Sequence, residues 1–364
     1  MIRPAVIRPE FVAFVVGVGI LGVESLTAHN PITTKVTWTR EISSILARRC
    51  VSCHQPGGYS SFSLTTFEEA RPWAVAIKEV VLAGDMPPWG AAPGIGHFVN
   101  DRRLTRHEQE LIAAWVDGGA PYSIDARTPA FEASRSGGTT PKTIVIQPTA
   151  GGVTIPFAPA TIGEPTERVA SVTLQLPAGM TLAAWMFEPG LPAIVERADV
   201  ELGSRWIGTW TPGEARIEFP PDSGIPLDGS AMFTARITYR QPVATSIDHS
   251  RLRIWMTKDS RPKGIREVTV VRSWRTPGTL DVVAMRPARD DGEVQVLARF
   301  ANGAAEALGV LTPPSRGPHP IYRLARPFEL PPGARVETTA PVRLLYSAAG
   351  TRTVNANVRR RPRR

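Results

Sequence analysis

The sequence predicts more than one domain: a small all-α part near the N-terminus, then an all-β region of two β-sandwiches. Three observations carry this. The chain has 364 residues, of which 42% are hydrophobic, enough for two or three cores. Residues from about 34 to 124 carry helix-start signals, among them two capping boxes. Beyond about residue 140 the pattern changes to short alternating runs between proline and glycine turns, which reads as many short strands. The 35 prolines and 31 glycines agree with many turns and few long helices.

Residues 1–30 come first. Arg3 and Arg8 precede an apolar run from Phe11 to Val23, and the small residues Ser25 and Ala28 follow. A run of 13 residues suits a signal-peptide core and is short for a membrane span. Glu10 before the run is unusual, and Leu26 is a poor residue two places before a cleavage point at Ala28. An uncleaved membrane anchor through residues 11–23 is therefore the alternative. Both readings export the rest of the chain, to the periplasm or an equivalent compartment.

In the next segment Thr39 is placed to cap a helix running to about Arg49. Thr66-Phe67-Glu68-Glu69 is a capping box, and Pro72 interrupts or restarts the stretch it opens. Ala74, Ile77, Val80 and Val81 then mark an apolar face ending before Gly84. Thr105-Arg106-His107-Glu108 is a second capping box. Its helix turns Leu111, Ile112, Trp115 and Val116 inward and closes at Gly118-Gly119 and Pro121.

The only two cysteines lie between these helices, in Cys50-Val51-Ser52-Cys53-His54. This is the C-x-x-C-H spacing of covalent c-type haem attachment. Each thiol adds across one haem vinyl group, and the following imidazole becomes the proximal iron ligand. A thioredoxin-type dithiol lacks its βαβ surroundings here. A zinc site lacks a second Cys/His pair, and a disulfide closing so short a loop stabilises little. The Pro56 carbonyl is placed to accept the imidazole N–H and fix the ring, a support expected around a ligand histidine; a plain turn proline is the alternative. The sixth iron ligand has three candidates. Met86 lies in Gly84-Asp85-Met86-Pro87-Pro88-Trp89, whose prolines stiffen the loop and whose Trp89 is placed to shield the pocket. His97 sits in a glycine-rich loop, and His107 is expected to face water. A thioether would raise the potential, whereas an open site would bind gas.

This segment resembles a bacterial single-haem cytochrome c domain. The likeness rests on Thr37 to Ile42, Cys50-x-x-Cys53-His54-x-Pro56-Gly57, Phe62-Ser63-Leu64, Ala70 to Trp73, Ile77-Lys78, Met86-Pro87-Pro88-Trp89 and Ala114 to Pro121. It implies a small all-α cytochrome c domain over 34–124, with the methionine of the Met-Pro-Pro-Trp element as distal ligand.

A linker at 125–145, rich in Ser, Gly and Thr from Ser134 to Thr140, leads into the β-region. Expected strands include Val172–Leu176, Arg216–Phe219, Met232–Tyr239, Leu252–Trp255, Val268–Val271, Val294–Phe300 and Val342–Tyr346. Their number suits one sandwich over 146–262 and a second over 263–358, before a basic tail at 359–364. The region resembles the two-domain copper monooxygenases related to peptidylglycine hydroxylating monooxygenase. Trp210 to Gly213, Ile225 to Ser230, Phe233 to Tyr239, Asp248 to Ile254 and Phe328 to Gly333 fall in that family's order. The copper histidines are missing. Glu196-Arg197, Thr238-Tyr239 and Pro287-Ala288-Arg289 stand where that resemblance implies ligands. Only His249 and His319 remain, both expected on surface loops, and two scattered histidines cannot build two histidine-rich sites. Met180, Met186, Met232, Met256 and Met285 are expected in the core, and Asp290-Asp291 in a turn.

The net charge is +9, and five arginines lie in the tail Arg359 to Arg364. An exported basic protein suits an acidic redox partner or anionic head groups; no nucleic-acid motif, P-loop, dinucleotide fingerprint or nucleophile elbow is present. The leading expectation is an exported cytochrome carrying single electrons on one covalent haem c. Its β-region, with no copper expected, would dock it to redox proteins or a membrane-bound electron-transfer complex. A monooxygenase with a fused cytochrome donor and a haem-based sensor are the rivals.

Overall fold

The computed structural model describes residues 34–123, 152–227, 229–258 and 263–349. The leader at 1–30, the linker at 125–145 and the tail at 359–364 lie outside them. None of the described helices is long and apolar enough to cross a membrane.

The helices are short. A single π-turn at Trp38–Ile42 runs into α1 (Ser43–Arg49). Thr39 does not cap it. The first turn is held by the Glu41 carboxylate, which accepts from the Thr37 N–H, and by the Trp38 N–H, which donates to the Pro121 carbonyl. Thr39 lies inside that turn and donates its hydroxyl to the Ser123 carbonyl. Helix α2 (Phe67–Ala70) opens with the Thr66/Glu69 capping box, and Pro72 sits in a 3-10 turn, Arg71–Trp73, that leads into α3 (Ala74–Leu82). Helix α4 (Arg106–Asp117) carries the Thr105/Glu108 box. These helices bury Ile42, Leu46, Ile77, Ile112 and Trp115 in a small core of their own.

The strands dominate. In the first half they are β1 (Val153–Pro156), β2 (Ala160–Ile162), β3 (Thr166–Gln175), β4 (Met180–Glu188), β5 (Val195–Leu202), β6 (Arg205–Trp210), β7 (Ile217–Glu218), β8 (Ser223–Leu227), β9 (Ser230–Tyr239), β10 (Ser246–Asp248) and β11 (Arg251–Thr257). In the second half they are β12 (Lys263–Val270), β13 (Ser273–Arg275), β14 (Leu280–Pro287), β15 (Val294–Arg299), β16 (Ala305–Leu311), β17 (Tyr322–Leu330), β18 (Arg335–Thr338) and β19 (Val342–Ala349). One long sheet runs β1-β11-β4-β8-β12-β19-β14-β17, and β7 pairs with β4. Two four-stranded sheets, β3-β9-β5-β6 and β13-β18-β15-β16, complete sandwich-like packing over its two ends. Trp185, Phe187, Trp206 and Phe233 fill the first core. Each such side chain contributes roughly 1.5–3 kcal/mol through the area it removes from water.

This architecture corrects the expected fold in two ways. First, the sandwiches are not separate bodies. Strands β8 and β12 pair in parallel at Lys263/Ser223 and Gly264/Gly224, so one hydrogen-bonded sheet crosses both. Second, no separate all-α domain precedes a β-region. The described chain is mainly β-sheet, and the segment between α3 and α4 is built onto the second sandwich. Ala91 bridges to Leu311 of β16, and Phe98 to Leu324 of β17. Ala91 and Phe98 are buried in the second sandwich's core, with Trp89 packed against it. The physical reason is where these apolar side chains find cover: on strands more than 200 residues away in the chain, not on the neighbouring helices.

Met180 and Met285 are buried as expected, and Met186 and Met256 are half-buried. Met232 departs from the expectation. It sits on the outer face of β9 and is exposed.

Candidate functional site

Helix α1 ends at the cysteine motif. The Cys50 carbonyl accepts from both the Cys53 and His54 N–H groups, which winds Cys50 to His54 into one tight turn. The Ser60 N–H then donates to the Cys53 carbonyl and the Leu64 N–H to the His54 carbonyl, closing the following loop. Both cysteines are free thiols and half-buried. Burial, with the neighbouring Cys53 adding to it, pushes the Cys50 thiol up to about 12. Burial raises Cys53 too, opposed by the Arg102 guanidinium.

The His54 ring lies 4.5 Å from that of Phe62, which stacks on Trp73 at 4.3 Å. Burial holds the imidazole below the ordinary histidine range, against a smaller opposing pull from the Phe62 backbone. A neutral imidazole is the form that binds a metal. Its Nδ1 is buried with no hydrogen-bond partner. Pro56 is exposed, and His54 Nδ1 takes no hydrogen bond to its carbonyl here.

Met86 follows α3, its N–H donating to the Val80 carbonyl, and is half-buried. Its loop is tied to the second sandwich, because Ser315 Oγ donates to the Asp85 carbonyl at 2.9 Å. Trp89 packs edge-on against Tyr322 at 5.0 Å and Phe98 at 6.0 Å, with its Nε1 buried and unpartnered. The indole is thus committed to the second sandwich, where Tyr322 and Phe98 supply an apolar wall. His97 and His107 are both exposed.

The first sandwich also reaches the motif. Gly213, at φ +81°, comes so close that a Cβ there would lie 3.1 Å from Cys53 Sγ and 3.0 Å from Ser52 Oγ. A side chain there would be strained by the backbone conformation and crowded against both atoms. The loop is held from beneath by Glu214, whose side chain is only 2% exposed. Its carboxylate accepts from Arg102 at 3.0 Å, Arg323 at 3.3 Å and Asn100 at 3.3 Å. Arg102 also donates to the Pro212 carbonyl at 2.7 Å. On the other side Arg240 stacks over Tyr59 at 4.1 Å and donates to its carbonyl. Sequence reasoning missed this wall. The only local signal was the Pro212-Gly213 turn, and the partners of Glu214 lie over 100 residues away on either side.

Of the positions where the resemblance implies copper ligands, Arg197, Tyr239 and Arg289 carry ordinary side-chain pairings, and the Thr238 hydroxyl is buried without a partner. Arg197 pairs with Asp290 at 2.7 Å and Asp199 at 3.1 Å. Tyr239 donates its hydroxyl to buried Asp248 at 2.7 Å, and Arg289 pairs with Asp291 on the surface. His249 is exposed, but His319 overturns its expected surface place: it is 0% exposed. Its N–H donates to Asp290, its Nδ1 lies 2.9 Å from the Tyr322 hydroxyl, and its Nε2 has no partner. The turn residue Asp290 is the reason, since it also accepts from buried Arg286 at 2.8 Å and draws the loop inward. Among the described residues no group of three or more His, Cys, Asp and Glu is placed to hold a metal ion. A haem iron ligated by one His and one Met needs no such group.

Burial depresses His319 to about 4. The folded state therefore takes up its proton later than the unfolded chain does. Its stabilising contribution is whole above the unfolded value near 6.5 and is lost as pH falls toward 4. The loss should be on the order of 3 kcal/mol. Urea melts at pH 7 and pH 4.5 should show it, and the difference should shrink in His319→Asn. An equal pH response in both proteins would refute this assignment.

No family model and no curated protein matches the chain. Solved structures with some likeness include the major capsid protein P2 from bacteriophage PM2. It is 9% identical over 54% of this chain and 99% of that one, with a TM-score of 0.25. Another is A223, a turret protein in Sulfolobus turreted icosahedral virus. It is 10% identical over 50% of this chain and 97% of that one, with a TM-score of 0.15. Likeness at these scores carries no inference about fold or function.

Proposed function

We propose that the chain is an exported c-type cytochrome carrying single electrons, with one haem bound covalently through Cys50 and Cys53. The observation that carries the reading is the Cys50–His54 turn itself. It presents two unpaired thiols and a half-buried, neutral imidazole whose Nδ1 is buried without a partner. His54 is the proximal ligand and Met86 the distal one. A haem held there supplies a one-electron Fe(III)/Fe(II) couple. The protein supplies attachment through the two thiols, close walls through Phe62 and the Gly213 loop, and a frame through Glu214. The strands form a docking and scaffold body for redox partner proteins, and no resident copper is assigned to it.

The purified protein should hold about one iron per chain, retained after acid–acetone extraction, and no stoichiometric copper. Met86→Ala should remove the weak far-red band of a methionine–iron bond and lower the potential. No such band in the parent protein, with a spectrum unchanged in Met86→Ala, would move the distal assignment to His97. Two tightly bound coppers would restore the monooxygenase reading.

A further inference from the structure

The outer sheet of the second sandwich carries a feature that electron transfer does not use. In its register Arg275 of β13 lies directly opposite Arg335 of β18, which lies directly opposite Arg299 of β15. Directly opposed residues share one face of a sheet. The next rung, Trp274, Val336 and Ala298, points inward to the core, so the three arginines point to solvent. All three are exposed. Arg299 pairs with Glu337, whereas Arg275 and Arg335 have no ion-pair partner among the described residues.

Like charges directly opposite one another destabilise a sheet. Three in one row is an arrangement that local packing does not explain, and an anion bridging them would relieve it. Guanidinium groups are suited to this because they accept carboxylates in a two-pronged fork. The spacing narrows the choice. Strands sit roughly 4.8 Å apart, so three successive arginines span about 10 Å in a straight line across the strands. On a helix, residues i, i+4 and i+7 span about 10 Å along one face. The neighbouring rung holds Ser273, Glu337 and Leu297, so the row is flanked by a carboxylate that disfavours a uniformly anionic surface.

We propose that the Arg275–Arg335–Arg299 row docks an acidic helix of a protein partner, with carboxylates at i, i+4 and i+7 lying across the strands. This stands independently of the haem reading, since no residue of the row belongs to that site.

The test uses the full-length protein and two alanine-based helical peptides of about 18 residues. One carries three glutamates at i, i+4 and i+7, and the other has the same composition with them on different faces. At low salt the one-faced peptide should bind about tenfold more tightly. The double variant Arg275→Gln, Arg335→Gln should lose that preference. The control Arg266→Gln, Arg326→Gln, exposed on the other sheet, should keep it. Equal binding of the two peptides, a preference that survives in the row variant, or one lost equally in the control would overturn the proposal. So would tighter binding to phosphatidylglycerol vesicles that the row variant abolishes, which would assign the row to lipid head groups.

Discussion

Glu214→Ala should destabilise the protein by about 3 kcal/mol, a shift in melting temperature on the order of 10 °C. The carboxylate is nearly inaccessible to water and faces two guanidinium groups, Arg102 and Arg323, that are themselves mostly covered. Removing it leaves both guanidinium charges without the carboxylate that offsets their burial, while the Asn100 amide keeps the Ile321 carbonyl. The loss should be felt beyond the pair. Arg102 and Asn100 lie between α3 and α4, Glu214 after β6, and Arg323 on β17, so one carboxylate ties three parts of the fold together. Glu214→Gln keeps a hydrogen-bond acceptor and should cost less than the alanine variant. Thermal melts followed by circular dichroism decide it: an alanine variant melting with the parent would show that the network adds nothing.

The second large effect is chemical. The double variant Cys50→Ala, Cys53→Ala should carry no covalent haem, because no other cysteine exists in the chain to form a thioether. Each single variant should keep one bond and shift the reduced spectrum toward that of a vinyl-bearing haem. Denaturing electrophoresis with haem staining reads this directly. Full staining of the double variant would sink the attachment proposal, and the fold would remain to be explained without it.

Much of the local structure was legible in the sequence. Thr66/Glu69 and Thr105/Glu108 form their capping boxes because each needs only side chains within one turn. Helix α3 buries Ala74, Ile77 and Val81, which follows from a spacing of three and four residues. The expected strands at Val172, Met232, Leu252, Val294 and Val342 all fall in strands, since alternation and turn residues are local properties. Thr39 was misread for an equally local reason. It has the right side chain for a cap, but Thr37 already occupies the place outside the first turn.

The longer-range expectations met other forces. Trp89 packs its ring edge-on against Tyr322 and Phe98, contacts that no local pattern shows, and its expected place over the haem pocket stays part of the proposal. His319, expected on a surface loop, is buried. Asp290, recruited by two arginines, pulls it inside. Met232 was placed in the core on residue type alone, though its position on β9 faces out.

The sequence by itself determined the Cys50–Cys53–His54 spacing on which the haem proposal rests, the capped helices and the run of short strands. Each of these is settled by side chains a few residues apart. Only the tertiary structure decided that the segment after Met86 joins the second sandwich, and that one sheet crosses both sandwiches through β8 and β12. It alone placed Gly213 against Cys53 and lined up Arg275, Arg335 and Arg299. Such contacts depend on strand register and on which apolar face finds cover, and register is set by pairing between distant segments that no local pattern encodes.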